Sequence, residues 1–164
     1  MHGVAEFKGF TLVELVLTLV LVGILSVSAI GLFATRDSYT ARTVADRFLA
    51  QARFAQQVAL ARAADTVTPI GLSVTRSGNT VSLSVTTGGL PAIREINASG
   101  VVIRRKTSGT SACGGGTASN FTLQFDRRGN LNPAVNNLIC IDGQQTIAIC
   151  ISPLGYAYEA VCDT

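Results

Sequence analysis

Apolar residues are concentrated at one end of this 164-residue chain. The segment 10–34 contains one ionisable side chain, that of Glu14, and otherwise consists of apolar residues with a few small polar ones. A helix of about 25 residues reaches about 37 Å, which exceeds the ~30 Å hydrocarbon core of a bilayer. The small residue of a signal-peptide cleavage site would follow such a run, whereas here Gly9 precedes it. We therefore expect segment 10–34 to span a membrane and to stay with the protein.

The helix is predicted to continue beyond the apolar segment, to about residue 63. No proline occurs from Ser38 until Pro69. Arg42 and Asp46 are spaced as an i,i+4 ion pair on the polar side. The opposite side carries small and apolar residues at the 3–4 spacing of one buried stripe, namely Ala41, Val44, Ala45, Phe48, Ala52, Ala55, Ala59 and Ala63. This half of the helix needs a partner along that stripe.

The remainder of the chain alternates apolar and polar residues with a period of two. The segments around Leu72 and Val81 alternate in this way, and Ser77-Gly78-Asn79 between them is a hairpin turn signal. Further strands are predicted at 101–103, 121–125, 138–141, 147–151 and 156–161. The expected fold class is α+β, with one long N-terminal helix over about 10–63 and an antiparallel β-sheet packed on its distal half.

Four cysteines all lie in the last third of the chain: Cys113, Cys140, Cys150 and Cys162. An even number beyond a membrane span predicts two disulfides in an oxidising compartment, closing the domain. His2 is the only histidine, so neither a metal site nor a histidine general base is expected. We expect no cofactor and no catalytic site.

Two disulfide pairings are considered, and strand parity favours one of them. Ile139 and Ile141 are expected to face the helix, as are the isoleucines of 147–151, which puts Cys140 and Cys150 together on the outer face. The favoured pairing is Cys140–Cys150 with Cys113–Cys162. The alternative is Cys140–Cys162 with Cys113–Cys150, because register cannot be fixed within a residue or two.

The charge of the chain is only weak evidence for a nucleic-acid partner. The net charge is +3, and the basic triplet Arg104, Arg105 and Lys106 is a candidate nucleic-acid contact. Phosphate binding needs several convergent basic residues. A solvated surface is the favoured interpretation of the triplet.

The stretch Lys8-Gly9-Phe10-Thr11-Leu12-Val13-Glu14-Leu15 closely resembles the processing site of type IV pilins and type II secretion pseudopilins. The resemblance implies that a membrane aspartyl prepilin peptidase cuts after Gly9 and methylates the new amine of Phe10. Glu14 takes the place of the family's acidic residue. The fit is nearest to minor pilins of the H-pseudopilin and haemagglutinin-pilus type.

The chemistry of Glu14 supports the resemblance. A carboxylate within an apolar span costs several kcal/mol unless it has a partner. A free amine on Phe10 of a neighbouring subunit could pair with Glu14 and so fix the axial register of packed helices.

The resemblance implies a leader at 1–9, a transmembrane and assembly segment at 10–34, and a periplasmic domain at 35–164. Lys8 favours a cytoplasmic N-terminus at the bacterial inner membrane. The expected role is structural, with the prepilin peptidase, other pilin subunits and an inner-membrane assembly platform as partners. The alternatives are a filament-displayed subunit that binds DNA or a surface, and an unprocessed signal-anchored module.

Overall fold

A computed structural model describes residues 11–33, 36–62, 69–86, 92–107, 110–118 and 120–162. The chain divides into two compact units, Met1–Arg36 and Asp37–Thr164. The first contains one apolar helix, and the second contains the hydrophobic core.

The described residues contain two helical segments within the predicted long helix. Helix α1 covers Leu12–Phe33 and helix α2 covers Arg36–Ala61. Both lie within the predicted helical range of about 10–63. Residues 34 and 35, which decide whether the helix is continuous, lie outside the described residues, as does Ala63 of the predicted stripe.

The predicted stripe on α2 is confirmed. Each of its described members is at most 2 % exposed: Ala41, Val44, Ala45, Phe48, Ala52, Ala55 and Ala59. On the polar side, Arg42 Nε lies 3.3 Å from Asp46 Oδ1, as the i,i+4 spacing predicts. Most of the stripe is alanine, so the volume of the core must come from the strands.

In the described part of the chain, nine strands form two antiparallel sheets. The strands are β1 Ile70–Ser77, β2 Thr80–Val85, β3 Ala92–Asn97, β4 Val102–Lys106, β5 Thr117–Ala118, β6 Phe121–Phe125, β7 Asn137–Asp142, β8 Thr146–Ile151 and β9 Ala157–Tyr158. The first sheet has the order β3-β2-β1-β6, and the second has the order β5-β4-β7-β8-β9. The α+β class is confirmed, with two sheets where one was expected.

The predicted β1–β2 hairpin forms with Ser77 paired to Thr80, and Gly78 adopts a φ of 57° in the turn. Positive φ suits glycine, which lacks a Cβ. Strand β3 was not predicted, because it is an edge strand in which the charged pair Arg94-Glu95 interrupts the apolar alternation. Strand β5 is only two residues long.

One core cluster joins the α2 stripe to the inner faces of both sheets. The largest side chains in it come from the strands, among them Leu72, Leu83, Phe125, Ile139 and Ile149. Buried apolar area of this kind is the main favourable term in folding. A second, smaller cluster lies around the cysteines and contains Leu138.

Polar contacts fasten the C-terminal segment to α2. Arg42 Nη1 lies 2.7 Å from Glu159 Oε1, and Gln56 Nε2 donates to the carbonyl oxygen of Leu154 at 3.0 Å. The same Gln56 nitrogen is 3.3 Å from the carbonyl oxygen of Gly129. Gly155 packs directly on that carbonyl.

Candidate functional site

Helix α1 begins at the motif that resembles a pilin processing site. Thr11 precedes the first helical residue, and its Oγ1 accepts a hydrogen bond from the backbone N–H of Glu14 at 3.3 Å. Thr11 is therefore the N-cap, which satisfies one of the free N–H groups of the first turn. The sequence carries this N-cap signal as Thr-x-x-Glu, a pattern that was not among the predicted features.

The predicted assembly residue, Glu14, lies in the first turn of α1 and is exposed. No described residue pairs with its carboxylate. An acidic group in the first turn is favoured by the positive end of the helix dipole. The predicted processing residues Gly9 and Phe10 lie outside the described residues, two and one positions ahead of the cap.

From Leu12 to Leu25, the exposed surface of α1 is dominated by aliphatic side chains. Eleven large apolar side chains between Leu12 and Leu25 are at least 50 % exposed. Their polar neighbours make bonds within the helix, since Thr18 Oγ1 donates to the carbonyl of Leu15 at 2.8 Å and Ser26 Oγ to that of Val22 at 2.7 Å. A helix that is apolar on all sides is normally surrounded by other apolar groups. Among the described residues, no helix combines the length and apolarity needed to cross a membrane.

All four cysteines form disulfides, as predicted, but both candidate pairings are wrong. The bonds are Cys113–Cys140 and Cys150–Cys162, which join residues 27 and 12 positions apart. Cys113 comes from the loop between β4 and β5, and Cys162 from the segment after β9.

The register of β7 and β8 explains this error. Both cysteines lie on the expected outer face, but Asp142 pairs with Thr146, so Cys140 is opposite Ala148 and Cys150 is opposite Leu138. The two sulfurs are therefore diagonal neighbours. Each one instead bonds to a cysteine from a segment that covers the outer face.

The basic triplet on β4 is divided between two faces of the sheet. Arg104 pairs with Cys140 across the strands and its Nε lies 2.9 Å from Asp142 Oδ2. Lys106 Nζ donates to the carbonyl oxygen of Ala112 at 2.8 Å. Arg105 points to the opposite face, where its Nε donates to Asn137 Oδ1 at 2.7 Å. The structure therefore does not present three convergent cations, and the nucleic-acid contact stays a prediction.

No group of three or more His, Cys, Asp or Glu side chains in the described ranges is arranged to hold a metal ion. Asp126 instead serves a structural purpose after β6. Its Oδ1 accepts hydrogen bonds from the backbone N–H groups of Arg128 and Asn130, both at 2.8 Å. Partial burial raises the pKa of Asp126, but these bonds outweigh that effect and hold the pKa below its ordinary value.

The N-terminal segment matches the family model described as the prokaryotic N-terminal methylation motif, over residues 6–30. This range includes the Gly9–Phe10 bond, Thr11 and Glu14. No protein with curated annotation matches the chain.

The fold is similar to that of the type IV minor pilin FimU of Pseudomonas aeruginosa strain PAO1, in two crystal forms. In both, the TM-score is 0.50 and the sequence identity is 16 % over 72 % of this chain. The alignments cover 90 % and 86 % of the two FimU chains. The methylation motif and a fold similar to that of a minor pilin together confirm the resemblance to type IV pilins seen in the sequence.

Proposed function

We propose that this chain is a minor structural subunit of a type IV pilus or a type II secretion pseudopilus. It is cleaved between Gly9 and Phe10 and assembled through its N-terminal helix. The observation that carries the proposal is the methylation motif placed directly against the capped start of α1. The peptide bond to be cut lies just ahead of Thr11, so cleavage leaves the helix cap intact.

The exposed aliphatic surface of α1 supports assembly. Burying a Leu, Val or Ile side chain stabilises by about 1.5–3 kcal/mol relative to exposure in water, and α1 carries eleven such side chains at 50 % exposure or more. Neighbouring helices in a filament, or the bilayer before assembly, would cover them. The unpaired Glu14 carboxylate then needs a cation, which the free amine of Phe10 in a neighbouring subunit supplies.

This proposal gives each segment one task. Residues 1–9 are the leader, 10–34 the membrane and assembly segment, and 35–164 the periplasmic domain. The N-terminus is cytoplasmic at the inner membrane before assembly. The partners are the prepilin peptidase, other pilin subunits and an inner-membrane assembly platform. The role is structural and non-catalytic, with no cofactor.

The test is the mass of the mature protein purified from its native membrane or filament. We expect the N-terminus to be a methylated Phe10, with residues 1–9 removed. A mature protein that still begins at Met1 contradicts the proposal and favours an unprocessed, signal-anchored module.

The second candidate is a filament-displayed subunit that binds DNA or a surface. DNA binding through the basic triplet would depend strongly on salt, because each neutralised phosphate releases a counterion. The internal partners of Arg104 and Lys106 argue against a strong phosphate site. Arg105 points to the opposite face of the sheet, and its surroundings there favour another ligand.

A further inference from the structure

Two cavities lie near the ends of β4 and β5, and Asn120 lines both. The first, of about 480 Å³, is lined by Arg105, Thr107, Thr117 and Phe121, and we call it the arginine cavity. The second, of about 370 Å³, is lined mainly by apolar side chains, including Val74, Val81, Val102 and Ile103, and we call it the valine cavity. Volumes of about 300–1,000 Å³ are typical of small-ligand sites.

The guanidinium group of Arg105 is held in a fixed position. Its Nε donates to Asn137 Oδ1 at 2.7 Å, and Asn137 is only 2 % exposed. Asn137 is itself oriented by a bond from its Nδ2 to the carbonyl oxygen of Val135 at 2.9 Å. The centre of the guanidinium lies 5.8 Å from the centroid of the Phe121 ring. A cation over an aromatic face at this distance is attracted to it.

The positive charge of Arg105 has no carboxylate partner among the described residues. Its Nη1 makes a long contact of 3.4 Å with the carbonyl oxygen of Thr122, and no bond from Nη2 occurs in the described part of the chain. Burial lowers the pKa of Arg105, because water solvates the cation poorly there. An anion in the arginine cavity would replace the favourable interactions with water that the buried cation has lost. It could also accept two parallel hydrogen bonds from the guanidinium.

Among the described basic residues around the two cavities, only Arg105 is available to such an anion. Arg76 lines the valine cavity, but its guanidinium donates to the backbone carbonyls of Val101 and Ala98, and its Nε to that of Gly78. Arg104 and Lys106 are occupied on the other face of β4. Nucleic-acid affinity comes from several phosphates at once. A single fixed cation beside an apolar cavity fits one negative charge attached to an apolar group.

We propose that these two cavities bind the C-terminal carboxylate of a peptide that ends in an aliphatic residue. The carboxylate accepts hydrogen bonds from Arg105, and the terminal side chain enters the valine cavity past Asn120. Asn137 is a positioning residue, since it orients Arg105 without contacting the ligand.

The experiment uses the full chain in detergent micelles and measures binding by isothermal titration calorimetry. The probes are acetyl-Ala-Val with a free carboxylate and the same dipeptide with a C-terminal amide. We expect the carboxylate form to bind at least about tenfold more tightly, which corresponds to about 1.4 kcal/mol. This comparison needs no variant and is therefore independent of any folding defect.

The variants locate the site. Arg105→Gln should weaken binding of the carboxylate probe by about tenfold or more, and Arg105→Lys should restore only part of it, because lysine cannot donate two parallel bonds. Arg104→Gln is the matched control on the same strand and should leave binding unchanged, since Arg104 pairs with Asp142 on the other face.

Three outcomes would overturn the proposal. They are equal binding of the carboxylate and amide probes, equal loss in Arg104→Gln and Arg105→Gln, and inorganic phosphate binding as tightly as the dipeptide. Displacement of the dipeptide by a single-stranded oligonucleotide, with a steep salt dependence, would favour a nucleic-acid ligand instead. None of these results depends on cleavage after Gly9, so the proposal can fail separately from filament assembly.

Discussion

Gly155 lies so close to the carbonyl oxygen of Gly129 that a Cβ at position 155 would overlap it. Gly155 also has a φ of 81°, which residues with a Cβ seldom adopt. Gln56 of α2 bonds to both sides of this contact, through the carbonyls of Gly129 and Leu154. The contact therefore joins the loop after β6, the segment before β9 and the helix.

Gly155→Ala should lower the free energy of unfolding by about 3 kcal/mol, because it adds backbone strain and a clash with a backbone atom. Gly100→Ala is the matched control, since Gly100 has a φ of 72° but open space around a Cβ. It should cost only about 1 kcal/mol, from strain alone. Chemical denaturation of both variants measures the difference, and equal costs would contradict the close contact.

The disulfide pairing can be read directly from non-reduced peptides. Cleavage before aspartate and after lysine and arginine should give a peptide with Cys113 linked to the peptide 129–141, which contains Cys140. The peptide 142–162 should carry the Cys150–Cys162 bond internally. A fragment that joins Cys113 to Cys162 would show a different pairing.

Removing one disulfide should lower the stability of the fold more than removing the other. In the loop-entropy model, a bond between residues 27 apart contributes about 3.5 kcal/mol and one between residues 12 apart about 2.8 kcal/mol. The double serine variant at Cys113 and Cys140 should therefore unfold at lower denaturant than the one at Cys150 and Cys162.

Asp126 should make stability depend on pH at the acid end. Its pKa is lower in the folded chain than the ordinary value of about 3.9. Its contribution is therefore complete above that value and is lost as the pH falls through the lower, folded pKa. Asp126→Asn should cost about 1 kcal/mol at pH 7 and much less near pH 2. Asp46→Asn is the control, because the Asp46–Arg42 pair is exposed to solvent and contributes little to stability. Equal effects of the Asp126→Asn variant at both pH values would show that the ionised carboxylate contributes nothing.

Gly9→Val should block processing, because a branched side chain next to the scissile bond crowds the peptidase site. The precursor should then accumulate in the membrane with the mass of residues 1–9 still attached. Gly3→Val, which changes the leader away from the bond, should be processed normally. Normal processing of Gly9→Val would place the cut elsewhere.

Glu14→Val should be processed and inserted normally, since the segment only becomes more apolar. Incorporation into filaments should be lost, because the Phe10 amine of the neighbouring subunit would have no partner. Thr18→Val is the control, since the Thr18 hydroxyl already bonds within its own helix. Filament content measured on isolated pili distinguishes the two, and full incorporation of the Glu14→Val variant would exclude a role for Glu14 in register.

The sequence predicts those helices and strands in which the spacing of apolar side chains repeats along the whole element. The α2 stripe from Ala41 to Ala59 spans five turns, and β6 at Phe121–Phe125 has the bounds that alternation predicts. Strand β3 was not predicted because Ile93 and Ile96 are three positions apart and therefore lie on opposite faces. Alternation can be recognised only when several residues repeat it.

The disulfide pairing and the two cavities depend on what lies next to each strand. Parity correctly placed Cys140 and Cys150 on one face, but the turn between Asp142 and Thr146 offset them by one diagonal step. The surroundings of Arg105 form only where β4, β5 and β6 come together, and no local sequence pattern predicts that arrangement. Local periodicity fixes faces, whereas register and neighbours arise from the assembled sheets.

The alanine-rich face of α2 makes mutational tolerance unequal across the core. Positions such as Ala52 and Ala55 are fully buried with the smallest side chain that a helix accommodates well, so almost every substitution there adds volume to a packed interior. At large strand residues such as Leu72 and Ile149, a smaller side chain at one position can instead be compensated by a larger one at another, which keeps the total core volume. Relatives of this chain should therefore vary in the strands that fill the core and remain small along the helix.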